Sequence, residues 1–552
     1  MANLQYFQKR AKALESQRDR YKSLWTQIAK NFVPYRGRFS LDETQGTDKY
    51  ADLLNNKPPL SMRVLTAGLM SGMTSPARPW FRLSTGDVTL DEQDEVKQWL
   101  YDCREIMLNL FSRTNVYNSL QTFYNEISTF STAALGMFED DDVFVRFEAL
   151  TAGQYAVGMN NKNVVDSIVI RRKRTISSIV KEFGLENVPM GVRNLWERGE
   201  LEEKRELVNL IEPNDNRGGT VFSYDLPFRS VTWIEGVGGR EAILRQSGYN
   251  EFPFAVARWD VVTGEVYGTD SPALMALGDA KGLQLIERDL LQVADRMADP
   301  ALLADKDLRR SLGNRAPVPG SMHYVDDPSK DIRALGQEGR TALSEMIALS
   351  QRQEARIDAA FYVDMFLMLA SSDRREMTAR EVSERHEEKL LQLGPVLERL
   401  QDELLNPLVA RTFSILQRSR ILPDPPEELE DVELSVVYIS LLAQAQRLVS
   451  QQNVDRLMDT AGALMSFDPN IAQKLNVERI LDAYADVLGV APDLLKTQDQ
   501  YSQLLEAARQ QQQQQEAMAA MGQMADVAQK ASQTQLEKPS GLSEIMRRGG
   551  MM

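Results

Sequence analysis

The periodicity of apolar residues is clearest between residues 341 and 422, where it predicts two long helices joined by a short polar break. The first helix is expected over residues 341–369 and the second over residues 377–422. Leucines that share one face of the second helix follow one another at steps of three or four residues: Leu393, Leu397, Leu400, Leu404 and Leu408. This stripe predicts that the second helix buries one face along its length.

The break spans residues 370–376 and is strongly polar. Its central residues are Ser371, Ser372, Asp373, Arg374 and Arg375. Thr378 and Glu381 then form a T-x-x-E capping box, which satisfies free backbone donors at a helix start. Pro395 and Pro407 lie inside the second helix, and each removes a backbone donor. We therefore expect the second helix to bend at both prolines.

Another long helix is expected over residues 271–299, with Ser271 as its N-cap and Pro272 in its first turn. It is similar in length to the helix at 341–369, so the two could pack side by side as a hairpin. Between them, residues 300–340 form a Gly- and Pro-rich module that the hairpin would project away from the body. The basic side chains of this module are Lys306, Arg309, Arg310, Arg315, Lys330 and Arg333.

The N-terminal third reads as mainly helical. Apolar spacing predicts helices, all bounded by polar or proline-containing segments, over residues 2–33, 59–73, 91–111 and 116–135. The segment from Thr74 to Phe81 contains two prolines, which favour an extended conformation.

Between residues 136 and 260 the pattern changes to short β-branched and aromatic runs, which predict an antiparallel, SH3-like sheet or a small barrel. Strands are predicted over residues 143–147, 164–171, 221–224 and 231–234. Helices are predicted over residues 177–183 and 192–210. The glycine-rich residues 236–239 follow a strand and favour a hairpin turn over a dinucleotide-binding loop.

The C-terminal part begins with a proline-rich acidic connector at residues 423–428. A short strand is expected at 432–437, followed by helices at 441–467 and 477–488. The remainder is rich in Gln, Ala and Met, which favour a helix.

The composition of the chain limits the classes of protein to which it can belong. The chain has 552 residues, which is too long for one compact core and favours several structural units. Its net charge of −15 argues against conventional nucleic-acid binding, which needs a basic surface. One cysteine and two histidines exclude an internal disulfide and a Cys/His zinc cluster. The most apolar run, residues 357–370, contains Asp358 and Asp364, and predicts a buried helix face rather than a membrane span.

No residue pattern in the sequence indicates catalysis. The sequence contains no P-loop, and His386 lacks a second histidine at helical spacing. His386 is therefore expected at a solvated helix position, His323 at the surface or an interface, and Cys103 in the core. The acidic run at residues 139–142 is either a weak cation site or, as its missing glycine favours, a turn.

Arg374 and Arg375 allow two interpretations that spacing cannot separate. They are either solvated loop residues or residues that contact phosphates at a pore.

Several ordered motifs resemble one family. Residues 65–83 combine a small-residue helix with a loop containing Pro and Trp; residues 375–382 contain E-x-T-A-x-E; and the segments 393–396, 405–408 and 421–423 follow in the same order. These motifs are similar to those of the portal, or head-to-tail connector, proteins of short-tailed, podovirus-type phages. The exit motif here reads I-L-P, one residue longer than the family's I-P. The resemblance covers residues 5–495.

The resemblance implies a mainly α portal fold with an α+β wing, assembled as a dodecameric ring around DNA. Its regions are a wing (1–265, with the β portion at 136–260), stem helix 1 (266–299), a clip (300–340), stem helix 2 (341–369), a tunnel loop (370–376), a long kinked helix (377–422) and a helical crown (423–495). Outside the resemblance, the composition predicts a Gln/Ala-rich helical tail able to form a barrel in a symmetric assembly (496–538) and a disordered end (539–552). Arg374 and Arg375 would then lie at the narrowest part of the channel.

The implied function is structural, without enzymatic activity or a cofactor. A portal forms the channel for packaging and ejection of double-stranded DNA at one capsid vertex of the virion. It is assembled in the host cytoplasm with capsid and scaffold proteins, and it docks terminase and later tail adaptor proteins at the clip. Two alternatives are an internal core or scaffold protein, which should be dominated by extended helix, and a carboxylate-dependent hydrolase or nuclease, which would need converging Asp/Glu pairs.

Overall fold

A computed structural model describes residues 4–37, 39, 53–91, 93–215, 217–218, 222–298, 302–303, 333–334, 339–371, 392–429 and 434–439, with isolated positions between 462 and 513. It contains both helix and sheet. The helices are α1 (Leu4–Asp19), α2 (Lys22–Phe32), α3 (Lys57–Met73), α4 (Val88–Asp91), α5 (Asp94–Arg113), α6 (Val116–Phe130), α7 (Ile176–Phe183), α8 (Met190–Glu197), α9 (Pro272–Met275), α10 (Leu277–Ala298), α11 (Gly339–Ala360), α12 (Val363–Ser371), α13 (392–400) and α14 (Asn406–Arg418).

The strands are β1 (Phe81–Ser84), β2 (Thr132–Asp140), β3 (Phe144–Leu150), β4 (Tyr155–Met159), β5 (Val165–Thr175), β6 (Lys204–Pro213), β7 (Phe228–Ile234), β8 (Ile243–Tyr249), β9 (Phe254–Arg258), β10 (Leu302–Leu303), β11 (Arg333–Ala334) and β12 (Ser435–Tyr438). Strands β4 to β8 form an antiparallel sheet in sequence order, and β3, β2 and β9 form a second sheet. Since β4 and β8 are the outer strands of the first sheet, the described residues form an open sheet rather than a barrel.

The N-terminal helix prediction is correct in type but wrong in continuity. Within the predicted range, the described residues form two helices, α1 and α2, because the chain tightens at Tyr21, whose N–H bonds the Arg18 carbonyl three residues back. The predicted helix at 116–135 ends at Phe130. Ser131 has a left-handed φ of 63°, and residues from Thr132 onward pair as a strand with both β3 and β9.

Two predictions in the β region are also wrong. Only the first part of the predicted helix at 192–210 is helical, as α8; residues 204–213 are strand β6, which pairs with β5 on one side and β7 on the other. Where a strand was expected at 221–224, residues 223–225 form a short 3-10 turn. The strands predicted near 143–147, 164–171 and 231–234, the helix at 177–183 and the hairpin turn at 236–239 are confirmed.

The main core joins the N-terminal helices to the second long helix. The leucine stripe is confirmed, since Leu393, Leu397, Leu400, Leu404 and Leu408 are each at most 1 % exposed. Trp80 and Phe81 of the proline-containing segment are buried against Phe111, with ring centroids 6.0 and 6.2 Å apart. Phe81 also begins β1, which pairs antiparallel with the predicted strand, observed as β12. The helices predicted at 441–467 and 477–488 lie outside the described residues.

Candidate functional site: the long hairpin and its root

The hairpin predicted from sequence is present, but each of its arms is divided. The predicted helix at 271–299 is observed as two helices, α9 and α10, which are separated at Ala276. The predicted helix at 341–369 is α11 followed by α12, interrupted at Phe361 and Tyr362. The hairpin therefore has two short segments near the body and two long helices extending from it.

Helices α10 and α11 pack antiparallel, as expected. Ser350 Oγ donates to Glu287 Oε1 at 2.8 Å, and nearer the body Arg356 lies 3.5 Å from Asp279. Gly282 of α10 faces Gln353 of α11, where a Cβ would meet the amide at 3.7 Å. Small and polar residues at this seam let the two helix backbones lie close together.

At the far end, the chain leaves and re-enters the hairpin at one place. Strand β10 follows α10, strand β11 precedes α11, and the two pair antiparallel, with Leu302 opposite Ala334 and Leu303 opposite Arg333. The excursion between them is therefore closed at its base. Most of the basic residues predicted for this module lie outside the described residues: Lys306, Arg309, Arg310, Arg315 and Lys330. Arg333 is described only as part of β11.

Polar contacts join the hairpin to the body just before α3. Gln284 accepts hydrogen bonds from the backbone N–H groups of Leu54 and Asn55 at 2.7 and 2.9 Å, and donates to the Asn55 carbonyl at 2.9 Å. The Asn55 amide donates to Glu287 at 3.1 Å and to Glu354 at 3.0 Å. One short segment thus holds both arms of the hairpin at the same level.

A second contact lies on α3 itself. Asp358 of α11 accepts a hydrogen bond from Ser61 at 2.7 Å and forms an ion pair with Lys57 at 2.5 Å. Both charged side chains are partly exposed, so solvent screens the pair. In the sequence, Asp358 served only as an argument against a membrane span, because its partners Lys57 and Ser61 lie about 300 residues earlier in the chain.

The root of the hairpin is built into the turn between α6 and β2. Ser271 is the N-cap that the sequence predicted: its Oγ accepts the Leu274 N–H at 3.1 Å. The same hydroxyl donates to the Thr129 carbonyl at 3.1 Å. Gly268 donates its N–H to Thr132 Oγ1 at 2.8 Å, and a Cβ at this glycine would lie 2.2 Å from the Ser131 carbonyl oxygen. Only glycine fits so close to that backbone.

The interruption between α11 and α12 has a defined geometry. Tyr362 has a left-handed φ of 53°, and its N–H bonds the Ala359 carbonyl, three residues back, at 3.2 Å. Phe361 is fully buried and its ring lies 5.6 Å from that of Phe32. Burial, with a smaller contribution from Asp270, raises the pKa of the Tyr362 phenol. A bulky residue in this conformation costs about 1–2 kcal/mol, so the surrounding packing must hold the break in place.

Helix α12 ends at Ser371, so Ala370 and Ser371, which were predicted to begin the break, are helical instead. Their side chains are not described. Ser372, Asp373, Arg374 and Arg375 lie outside the described residues, as do the capping box at Thr378 and Glu381 and both histidines, His323 and His386. The two interpretations of the arginines therefore stay open at this point.

The second long helix departs from α geometry just before Pro407. Residues 392–400 are helical through Pro395, residues 401–405 form a π-turn, and α14 begins at Asn406. The Asn406 N–H bonds the Gln401 carbonyl, five residues back, while Pro407 has no N–H to offer. A π-turn followed by a proline is a common cause of helix bending.

Two arginines connect this helix to the sheet residues. No sequence pattern had indicated either of them. Glu403 in the π-turn accepts the backbone N–H of Arg258 at 2.8 Å and also bonds the guanidinium of that arginine. In α14, buried Arg411 bonds the Met137 carbonyl at 3.0 Å and Glu251 at 2.9 Å. Burial lowers the pKa of Arg411. These pairs are 145 or more residues apart in sequence, which is why no local pattern predicted them.

The remaining sequence candidates have structural roles. Cys103 is completely buried, and burial raises the pKa of its thiol to about 12. The acidic run is a turn, because Asp140 accepts the backbone N–H groups of Asp142 and Val143 at 3.0 and 3.2 Å. Across the described part of the chain, no three acidic, Cys or His side chains are grouped so as to hold a metal ion. The helices in this part of the chain are too short or too polar to span a bilayer.

Comparison with known proteins gives consistent matches over nearly the whole chain. The family model for bacteriophage head to tail connecting proteins matches residues 4–495. A probable portal protein of Bordetella phage BPP-1 is 37 % identical over 97 % of this chain and 96 % of its own length. The portal protein of Salmonella phage epsilon15 is 34 % identical over 97 % of each chain. A chain from the neck of an empty GTA particle covers 79 % of this chain and 95 % of its own at 13 % identity, with a TM-score of 0.35, too low to carry an argument.

Proposed function

The chain belongs to the family of bacteriophage head-to-tail connecting proteins, and from that premise we propose that it is a portal subunit. Copies of it form a ring at the unique capsid vertex, and double-stranded DNA passes through the centre of the ring during packaging and ejection. The observation that carries the proposal is the match to two portal proteins over 97 % of this chain. The protein then belongs to the virion and acts without catalysis of its own.

The shape of the hairpin supports a ring. Leu291 lies seven residues beyond Gln284 and Ile347 seven residues before Glu354, so both share the helix faces that contact the body, two turns farther out. There they are 60 % and 44 % exposed. Leu349 lies seven residues before Arg356 on another face of the hairpin and is 40 % exposed. Apolar residues on different faces suit a head-to-tail contact, in which one face of each copy covers another face of the next. A dodecamer is the closed form that we propose.

Electrostatics supports a channel through which DNA slides. With a net charge of −15 on each subunit, a ring repels the phosphate backbone over most of its surface. Strong neutralisation of phosphates would instead hold DNA in place. Arg374 and Arg375 in the tunnel loop then contact phosphates locally, where the channel is narrowest.

The closed base of the 300–340 excursion suits a docking module. Because β10 and β11 pair where the excursion begins and ends, we propose that the excursion acts as one unit. We assign to it the docking of terminase, and later of tail adaptor proteins, through the basic residues Lys306, Arg309, Arg310, Arg315, Lys330 and Arg333. Capsid and scaffold proteins are the partners expected at the wing. Bends at Pro395 and Pro407 turn the second long helix from the channel out to the wing.

Electron microscopy of the purified full-length protein tests the ring. Rings with a central hole are expected, and monodisperse monomers at high concentration would contradict the proposal. Deletion of residues 371–376 tests the loop within those rings. The deletion should leave rings intact, but it should reduce the DNA packaged or retained per particle.

The matched control replaces Arg374 and Arg375 by Ala without changing the loop length. If the arginines contact phosphates, this control should reproduce part of the defect. Normal packaging and retention in the deletion variant would eliminate the tunnel-loop assignment.

A further inference from the structure

The π-turn at residues 401–405 holds one residue more than an α-helix would place in the same turn. The Asn406 N–H reaches the Gln401 carbonyl, whereas in an α-helix it would bond the carbonyl of Asp402. The extra residue changes the alignment of α13 with α14 by about 100°, since each α-helical residue turns the chain by that angle. The π-turn therefore decides which residues of the two helices share one face.

The chain after the π-turn suits two alternative alignments. Buried residues there occur as sequence neighbours, each at most 3 % exposed: Leu404 and Leu405, Leu408 and Val409, Arg411 and Thr412, and Ile415 and Leu416. Before the π-turn the stripe is single, because the residues that directly follow Leu393, Leu397 and Leu400 are not buried.

The two members of each pair serve different alignments. The first members follow Leu400 at steps of three or four residues, as they would in an unbroken α-helix. The second members are displaced by one residue, which is the displacement that a π-turn introduces. Helix α14 thus has a buried residue at the positions that either alignment needs.

Two polar contacts hold the π form. Glu403 accepts the backbone N–H of Arg258, the last residue of β9, at 2.8 Å and the Nε of its guanidinium at 3.1 Å. Asn406 accepts a hydrogen bond from the Tyr438 hydroxyl in β12 at 2.5 Å. Arg258 and Tyr438 are each 6 % exposed, so both contacts lie largely out of water. Because the angle between the side chains of Glu403 and Asn406 depends on the winding of the turn, α geometry would break one contact or both.

We propose that residues 401–405 are a register joint, which the bonds from Arg258 and Tyr438 hold in the π form and which converts to the α form when those bonds are lost. Conversion would rotate α13 by about 100° and shift it by about 1.5 Å relative to α14. Displacement of β9 or β12 would thereby be converted into rotation of α13. This inference does not depend on the proposed function, because the geometry of the joint can be determined on the purified protein in any oligomeric state.

Substitutions that remove the two contacts test the joint. Glu403→Ala removes both bonds to Arg258, and Tyr438→Phe removes the hydroxyl but keeps the buried ring. Electron cryo-microscopy of the purified full-length protein shows whether the Asn406 N–H reaches residue 401 or residue 402. We expect a mixture of π and α forms in each single variant, and the α form in most particles of the double variant.

Two controls separate the contacts from general effects of substitution. Glu398→Ala makes the same change at an exposed position of α13 and should keep the π form. Glu403→Gln can still accept the Arg258 N–H, so its share of the α form should lie between those of the native protein and Glu403→Ala. Pro407 disfavours an ideal α-helix, because its ring would meet the Glu403 carbonyl, but it is present in every variant.

A π-turn that persists in the double variant would overturn the proposal, as would unwinding of residues 401–405 in place of an α-helix. If the double variant does not fold, Tyr438→Phe alone decides. Hydrogen–deuterium exchange at residues 401–406 should then rise several-fold over that of the native protein, because part of the molecules leave the π form. Exchange equal to that of the native protein would overturn the proposal.

Discussion

The inner half of the hairpin lies against the body, and the outer half extends away from it. The two halves differ in whether their side chains have partners within the same chain. In the inner half, polar groups facing the body have partners within the same chain: Gln284 binds the backbone at 54–55, Glu354 binds Asn55, and Asp358 binds Lys57 and Ser61. Two turns farther out on the same faces, Leu291 and Ile347 are exposed to solvent. One chain completes the inner half, whereas the outer half has the composition of a surface that another molecule covers.

This difference separates two sources of stability. Contacts of the inner half belong to the fold of the subunit, so damage to them should appear in isolated chains. In the proposed ring, a neighbouring copy would cover the exposed apolar residues of the outer half, and binding would add to apparent stability by mass action. Substitutions in the two halves should therefore affect different measurements.

The largest effect on the subunit is expected from Gly268→Ala at the root. The new methyl group would lie 2.2 Å from the Ser131 carbonyl oxygen, which belongs to backbone and cannot swing away as a flexible side chain would. We expect a loss of about 3 kcal/mol or more in the free energy of local unfolding, measured by hydrogen–deuterium exchange of α9 and β2. The control Gly278→Ala lies in an open helix position and should stabilise α10 by about 0.5–1 kcal/mol. Equal exchange in the two variants would show that the root is not tightly packed.

A smaller effect is expected from Asp358→Asn. The amide can still accept the hydrogen bond from Ser61, but the charge opposite Lys57 is lost. Because both side chains are partly exposed, the loss should be about 1 kcal/mol, and it should shrink at high salt. Thermal unfolding of Asp358→Asn, Lys57→Gln and the double variant measures the coupling. If the effects of the two substitutions are additive, the hydrogen bond from Ser61, rather than the ion pair with Lys57, stabilises this contact.

The smallest effect on the subunit, and the largest on assembly, is expected from Leu291→Ser combined with Ile347→Ser. Both side chains are already exposed, so unfolding of the isolated chain should change by less than about 0.5 kcal/mol. Sedimentation should show loss of rings. The control Gln292→Ser, at an exposed position adjacent to Leu291 in sequence, should assemble normally. Normal rings in the double variant would place the contact between copies elsewhere.

Local sequence predicted the parts of the site that depend on short-range chemistry. Ser271 was recognised as an N-cap because a hydroxyl before a proline-initiated helix satisfies a free backbone donor, and it does so at 3.1 Å. The leucine stripe from 393 to 408 identified the buried face of the second long helix, since helical periodicity alone determines which residues align. The order of motifs was also sufficient for the family resemblance.

Two of the errors share one cause, because tertiary contacts decided both of them. Residues 204–210 were predicted to continue a helix, but hydrogen bonds to both β5 and β7 make them a strand. The arm at 341–369 was predicted to be one helix, but Phe361 is buried against Phe32 and the helix is broken at Tyr362. Nothing within a few residues of these positions signals those partners.

Periodicity and capping were enough to predict the long hairpin and the buried leucine face, and the order of motifs was enough to indicate the family. The contacts that hold the hairpin and the second long helix in place could be seen only in the folded chain. Gly268 meets the Ser131 carbonyl, Gly68 meets Phe366, and Arg258 holds Glu403 in the π-turn. Each contact joins residues more than 100 positions apart, so its geometry exists only once the chain has folded.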